Sequence, residues 1–164
     1  MGDFKESVTR QMVSFLGSIG LPVRAGEVAE NSFLPGLSIE NGGLVIDEAR
    51  LLYPGDLLHE AGHLAVLPGE ARKMQGAEAG PDLGNEIAAI CWSYAAAVHL
   101  QLDPEIVFHP HGYRGASSWF LETFGSGNYP GLPLLQWMGL TADPQHAREL
   151  GVAPFPNMLR WVRE

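Results

Sequence analysis

The sequence predicts one α+β domain spanning residues 1–164, with helices dominant. Three observations carry this prediction: several segments with apolar residues at helical spacing, a pair of short alternating runs around Asn41-Gly42-Gly43, and one long apolar run after Pro81. At 164 residues and 46% hydrophobic content, the chain can bury one core but not two. No repeat, low-complexity tract or linker-like shift in composition divides it.

Taken in order, Phe4, Val8, Met12, Phe15 and Leu16 recur at helical spacing. They predict a packing helix over about 4–16 that Gly17 and Gly20 close before Pro22. In "GLSIENGGLVIDE", Leu37 and Ile39 alternate on one side of Asn41-Gly42-Gly43, and Leu44 and Ile46 on the other. Because Asn and Gly tolerate positive φ, this predicts a β-hairpin. The stretch "YPGDLLHEAGHLAVLPGE" predicts a helix from about Asp56 to Leu67, with Asp56 accepting from the first free amides and Pro68-Gly69 ending it. A gap rich in Gly and Pro covers 68–81. A strongly apolar helix over about 82–102 follows and must lie deep. Beyond Pro104, "EIVFH" predicts a short strand. The remainder, about 104–164, predicts a helical extension with short helices at about 117–124, 132–138, 144–150 and 157–162.

Charge and composition exclude some functions. Ten Lys and Arg against 19 Asp and Glu give a formal net charge of -9, which argues against binding a phosphate backbone. Nucleic acid is not an expected partner. The single cysteine, Cys91, cannot form an internal disulfide. No run reaches membrane-spanning length, and the first twenty residues carry scattered charges instead of an apolar core. The expectation is a cytoplasmic protein with no membrane partner.

The chemistry concentrates in His59-Glu60-Ala61-Gly62-His63. Residues four apart share a helix face, so His59 and His63 can aim imidazole nitrogens at one point and chelate one ion, for which Zn2+ is suited. Glu60, about 100° further round the helix, is displaced from that point but can reach a water there, which makes it the candidate base. The competing reading is an amphipathic helix with a polar solvent face. Yet from Leu57 to Leu67 those three are the only polar side chains, which describes a buried helix. Buried ionisable groups need partners, and a metal provides one.

A catalytic zinc takes three protein ligands. Downstream candidates for the third are Glu70, Glu78, Asp82 and Glu86. Glu70 follows the helix stop too closely to swing back easily, and Glu78 and Asp82 lie in or at the end of the gap. Glu86 sits one turn into the apolar helix; if that helix packs beside the first, Glu86 projects toward the histidine pair.

With "LLHEAGHLAV" followed by "GNEIAA", the chain resembles the zincin metallopeptidases of the gluzincin type, in which an Asn-Glu motif on the next helix supplies the third ligand. The resemblance covers about 36–102, including the hairpin before the metal helix, and is specific at His59, Glu60, His63 and Glu86. It implies a minimal zincin-like domain and a zinc peptidase acting on a peptide or protein, with Glu60 as general base toward a metal-activated water. One departure affects the support of the ligands: thermolysin-like members carry an acidic residue four after the ligand Glu, and here that residue is Ile90. Related enzymes also place a Tyr or His beyond the second helix to stabilise the oxyanion. In this chain "FHPHGYRG" offers His109, His111 and Tyr113, for which a surface-loop reading stands equally. The alternative to a peptidase is a zincin-fold protein serving as a metal-dependent binding or regulatory module. A weaker alternative is a structural helical domain without metal.

Blander roles are expected elsewhere. His99 satisfies terminal carbonyls of its helix, His146 is exposed, and Cys91 and Trp92 belong to the core. Trp119, Trp137 and Trp161 pack the terminal helices, and Arg160 and Arg163 sit near a helix C-terminus.

Overall fold

A computed structural model describes residues 4–32, 34–76 and 83–164. The first helix, α1 (Ser7–Ser18), buries Thr9, Met12, Val13, Phe15 and Leu16, a stripe at the spacing the sequence predicts. It starts later than predicted, because the residues before it are held by a distant side chain. The Glu48 carboxylate accepts from the Lys5 and Glu6 amides at 2.8–2.9 Å, and those two bonds hold Glu48 below its ordinary pKa.

The hairpin forms as predicted from β2 (Leu37–Glu40) and β3 (Gly43–Ile46), with Leu37 opposite Ile46 and Glu40 opposite Gly43. Asn41 and Gly42 turn the chain at φ +50° and +76°, the left-handed region that a two-residue hairpin requires. A third strand, β1 (Val23–Ala25), pairs parallel to β3, giving the sheet order β1-β3-β2. All four residues of β3 are buried, as expected for a central strand.

The sheet packs against α2 (Asp56–Ala65), which in turn packs on α4 (Leu83–His99). Between them α3 (Gly69–Lys73) forms a short helix inside what the sequence predicts as an irregular gap. The facing surfaces of α2 and α4 are apolar and mostly small: Ala61, Gly62 and Ala65 on one side, Ala88 and Ala89 on the other with the larger Trp92, all buried. A Cβ at Gly62 would stand 2.8 Å from the Ala89 carbonyl oxygen and 3.2 Å from the Trp92 ring. Glycine is therefore what lets the two backbones approach this closely.

The C-terminal extension holds α5 (Ser117–Gly125), α6 (Leu132–Trp137) and α7 (Pro144–Leu150). Two predicted elements do not form. "EIVFH" is not a strand: Pro104–Ile106 is a 3-10 turn in which Asp103 Oδ1 accepts from the Glu105 amide at 2.9 Å, and proline occupies its first turn. Nor is 157–162 a helix, because its backbone groups bond to other parts of the chain. The Leu159 amide donates to Leu140, the Thr141 hydroxyl to the Asn157 carbonyl, Trp92 Nε1 to the Trp161 carbonyl at 2.8 Å, and the Arg163 amide to Ala65 at 2.9 Å.

Arg160 and Arg163 consequently do not lie at a helix C-terminus of their own. Arg163 instead closes the C-terminus of α2, donating from its side chain to the Val66 carbonyl, while Arg72 donates to Leu67 and to Arg163 itself. Trp161 packs on Phe15, Trp92 and His99, whereas Trp119 and Trp137 are exposed. Cys91 and Trp92 are fully buried. Among the described residues no helix is long and apolar enough to cross a membrane.

Candidate metal centre

Two helices build the site. On α2, Leu57, Leu58, Ala61, Leu64 and Ala65 face the core, leaving His59, Glu60 and His63 half-buried along one edge. His59 and His63, one helical turn apart, bring their Nε2 atoms to 3.1 Å. Across the Gly62 contact, α4 presents Glu86 in its first turn. Glu86 Oε1 lies 3.2 Å from His59 Nε2, and Oε2 lies 2.7 Å from His63 Nε2. Ligand-type atoms of His59, Glu60 and His63 also lie within 4.8 Å of one another. Glu86 is the carboxylate that touches both imidazoles directly, so it completes the trio, and Glu60 stands beside it.

The donor set can be tested against zinc. Four-coordinate zinc with bonds of about 2.0–2.1 Å has ligand atoms roughly 3.3 Å apart. The spacings of 3.1 and 3.2 Å match that edge, and 2.7 Å is short enough for a hydrogen bond between His63 and Glu86. Two imidazoles and a carboxylate are a catalytic zinc set. His59, His63 and Glu86 therefore fit the metal in chemistry and in two of three spacings, the third being that of a hydrogen bond.

The electrostatics follow from this crowding. Hydrogen bonds from His59 and His63 hold Glu86 far below the usual carboxylate range, with burial opposing. Burial works against protonation of His63, but its hydrogen bond to Glu86 and the nearby charges of Glu60 and Glu86 outweigh it, so His63 keeps its proton to higher pH than a free imidazole. Burial pushes the Glu60 carboxyl up, and the neighbouring His59 and His63 only partly offset it.

The segment beyond α4 contributes unevenly. Tyr113 reaches back to α2, its hydroxyl 3.1 Å from His59 Nδ1 and its ring edge-on to the imidazole. His109 is buried and donates from Nε2 to Asp56 Oδ1 at 2.8 Å, with its ring stacked on Tyr53 at 4.2 Å. Asp56 is thus engaged by His109, and no side chain caps α2 as the sequence predicts. His111 is exposed and lies 5.4 Å from Tyr53, ring to ring. Of the three residues expected to stabilise an oxyanion, then, Tyr113 touches His59, while His109 and His111 group around Tyr53. A cavity of about 380 Å³ lies on this loop, lined by Phe108, Leu121, Ser117, Ser118 and Glu105 among others; His59, Glu60, His63 and Glu86 are not in its lining.

The other third-ligand candidates are placed differently. Glu70 is exposed on α3 and pairs with Lys73, and Glu78 and Asp82 lie outside the described residues. His99 packs on Phe15 and Trp161, and His146 is exposed against Asp143. Sequence reasoning missed Tyr53 and Arg72, and gave other roles to Asp56, read as the cap of α2, and to Arg163, read at a helix end of its own. No local pattern signals them, because their partners are 53 to 97 residues away or lie in irregular chain.

No family model, curated protein or solved structure matches this chain.

Proposed function

We propose that the protein is a zinc-dependent hydrolase of gluzincin type, acting on peptide bonds. The observation that carries this reading is the convergence of His59 Nε2, His63 Nε2 and the Glu86 carboxylate from two helices within 2.7–3.2 Å, with Glu60 between the histidines in sequence. His59, His63 and Glu86 would hold the metal. When bound there, zinc supplies Lewis acidity that polarises a carbonyl and acidifies water.

The remaining work falls to Glu60. Its carboxylate accepts a proton from the attacking water and returns it to the leaving amine. Burial raises the Glu60 carboxyl above its ordinary value, in the direction that favours proton uptake. The packed apolar surfaces of α2 and α4 hold the ligand helices rigid, which keeps these groups in register. A structural helical domain has no use for such a carboxylate beside the histidines, and a binding module has no use for a base.

The test is cleavage of a peptide library by zinc-loaded wild type, by Glu60→Gln and by chelator-treated protein. The proposal expects cleavage by the first only. Tight stoichiometric zinc without cleavage of any peptide would move the chain to the binding or regulatory class, and absence of zinc binding would remove the metal reading.

A further inference from the structure

Tyr113 combines a strained backbone with an unusual contact. Tyr113 and Arg114 adopt φ +54° and +52°, left-handed values that cost residues with a Cβ about 1 kcal/mol or more each. Such strain persists where the surroundings hold it. The Tyr113 ring is fixed between Phe108 at 5.5 Å and Phe120 at 5.2 Å, both edge-to-face, and its hydroxyl meets His59 Nδ1 at 3.1 Å. No carboxylate takes that place from α4, where the residue one turn beyond Glu86 is the buried Ile90.

We infer that Tyr113 is the positioning residue for His59: its hydroxyl fixes the imidazole from Nδ1 so that Nε2 faces His63 and Glu86. The inference rests on the metal reading of the site. A histidine that binds a metal through one nitrogen is oriented by the partner of the other, and removing that partner weakens metal binding. A phenol differs from a carboxylate here. It can accept from Nδ1–H or donate to a bare Nδ1, so it stays bonded to His59 whichever ring nitrogen holds the proton. Tyr113 therefore holds the ring in the metal-free and the metal-bound protein without adding a negative charge.

The experiment compares wild type with Tyr113→Phe, which keeps the ring between Phe108 and Phe120 and removes only the oxygen. Zinc affinity is read by competition with a chromophoric chelator, and the His59 ring nitrogens by 15N NMR of histidine-labelled protein. Expected are an affinity loss of about ten- to a hundredfold and a displaced His59 Nδ1 signal, both with unchanged circular dichroism. A folded Tyr113→Phe that binds zinc as wild type does, with an unmoved His59 Nδ1 signal, overturns the inference. Should the variant not fold, wild type labelled with fluorotyrosine decides: the Tyr113 19F resonance moves on zinc addition if the hydroxyl serves His59 and stays fixed if it does not. Wild type that fails to bind zinc defeats the metal reading instead. The Tyr113 contact is then judged by the His59 Nδ1 signal of metal-free wild type against Tyr113→Phe.

Discussion

Glu86 and His63, 23 residues apart on two helices, meet with Oε2 2.7 Å from Nε2. The same carboxylate reaches His59 through its other oxygen at 3.2 Å, so a single side chain of α4 bridges both imidazoles of α2. Removing it leaves the two histidines without their shared anion. Glu86→Ala is expected to weaken zinc binding by at least about a hundredfold, and by more than Glu78→Ala or Asp82→Ala, in a chelator competition assay. Retention of tight zinc by Glu86→Ala, with loss in Asp82→Ala, would assign the ligand one turn earlier.

Glu60 should separate chemistry from binding. Glu60→Gln keeps His59, His63 and Glu86, so zinc content should match wild type while peptide cleavage falls about a hundred- to ten-thousandfold. Zinc loss comparable to that of His63→Ala would make Glu60 a ligand and refute its assignment as base.

The His63–Glu86 pair predicts opposite pH responses for the metal-free and the zinc-loaded protein. His63 is raised above its ordinary 6.5, so its stabilising contribution is complete below 6.5 and is lost as pH rises through the folded value. Glu86 is lowered from 4.5, so its contribution is present above 4.5 and is lost as pH falls through its folded value. The pair should therefore stabilise metal-free protein most between those two pH values, with melting temperature declining on the alkaline side. Zinc must displace the His63 proton, so zinc affinity should rise with pH, by roughly tenfold per unit for each proton released. Titration calorimetry in buffers of different ionisation enthalpy counts those protons; zero released at pH 6 would contradict the pair.

Gly62 is a test of the helix contact. Gly62→Ala places a Cβ 2.8 Å from the Ala89 carbonyl oxygen and should cost about 1–3 kcal/mol of stability while also weakening zinc binding, because α4 carries Glu86. Gly17→Ala, with nothing within 4 Å of the added carbon, should leave zinc binding unchanged and stability equal or higher. Equal melting temperatures and zinc affinities for Gly62→Ala and wild type would show that α2 and α4 do not need this approach.

The C-terminal segment closes α2 from outside. Arg163→Ala removes one donor to Val66 and the guanidinium over Trp137, and should cost about 1 kcal/mol. Deleting 161–164 also removes Trp161 from Phe15 and Trp92 and should cost several times more by thermal melting. An unchanged melting temperature for the deletion would show that the tail does not support α2.

Local chemistry was legible in advance wherever it depended on a single element. The hairpin followed from Asn41-Gly42 between alternating runs, and the shared face of His59 and His63, with Glu60 displaced round the helix, followed from the helical period. Strand β1 was not legible: three residues, "VRA", are too few for alternation to signal a strand, and it is one because the backbone of β3 accepts it, with the Leu44 amide on Pro22 and the Gly26 amide on Ile46. The reverse happened at 157–162, where a helical pattern lost its backbone bonds to Leu140, Thr141 and Trp92.

The sequence by itself determined that α2 carries two imidazoles and a carboxylate on one apolar helix, because a helix fixes which side chains share a face within four residues. It also determined that α4 is apolar enough to be buried against something. Tertiary structure decided what those groups meet: Glu86 across the Gly62 contact, Tyr113 on His59 Nδ1 from a strained loop, His109 on Asp56, and Arg163 on the end of α2. Each of these joins residues 23 to 97 positions apart. Such contacts arise from how the whole core packs, and no periodicity of a few residues can encode them.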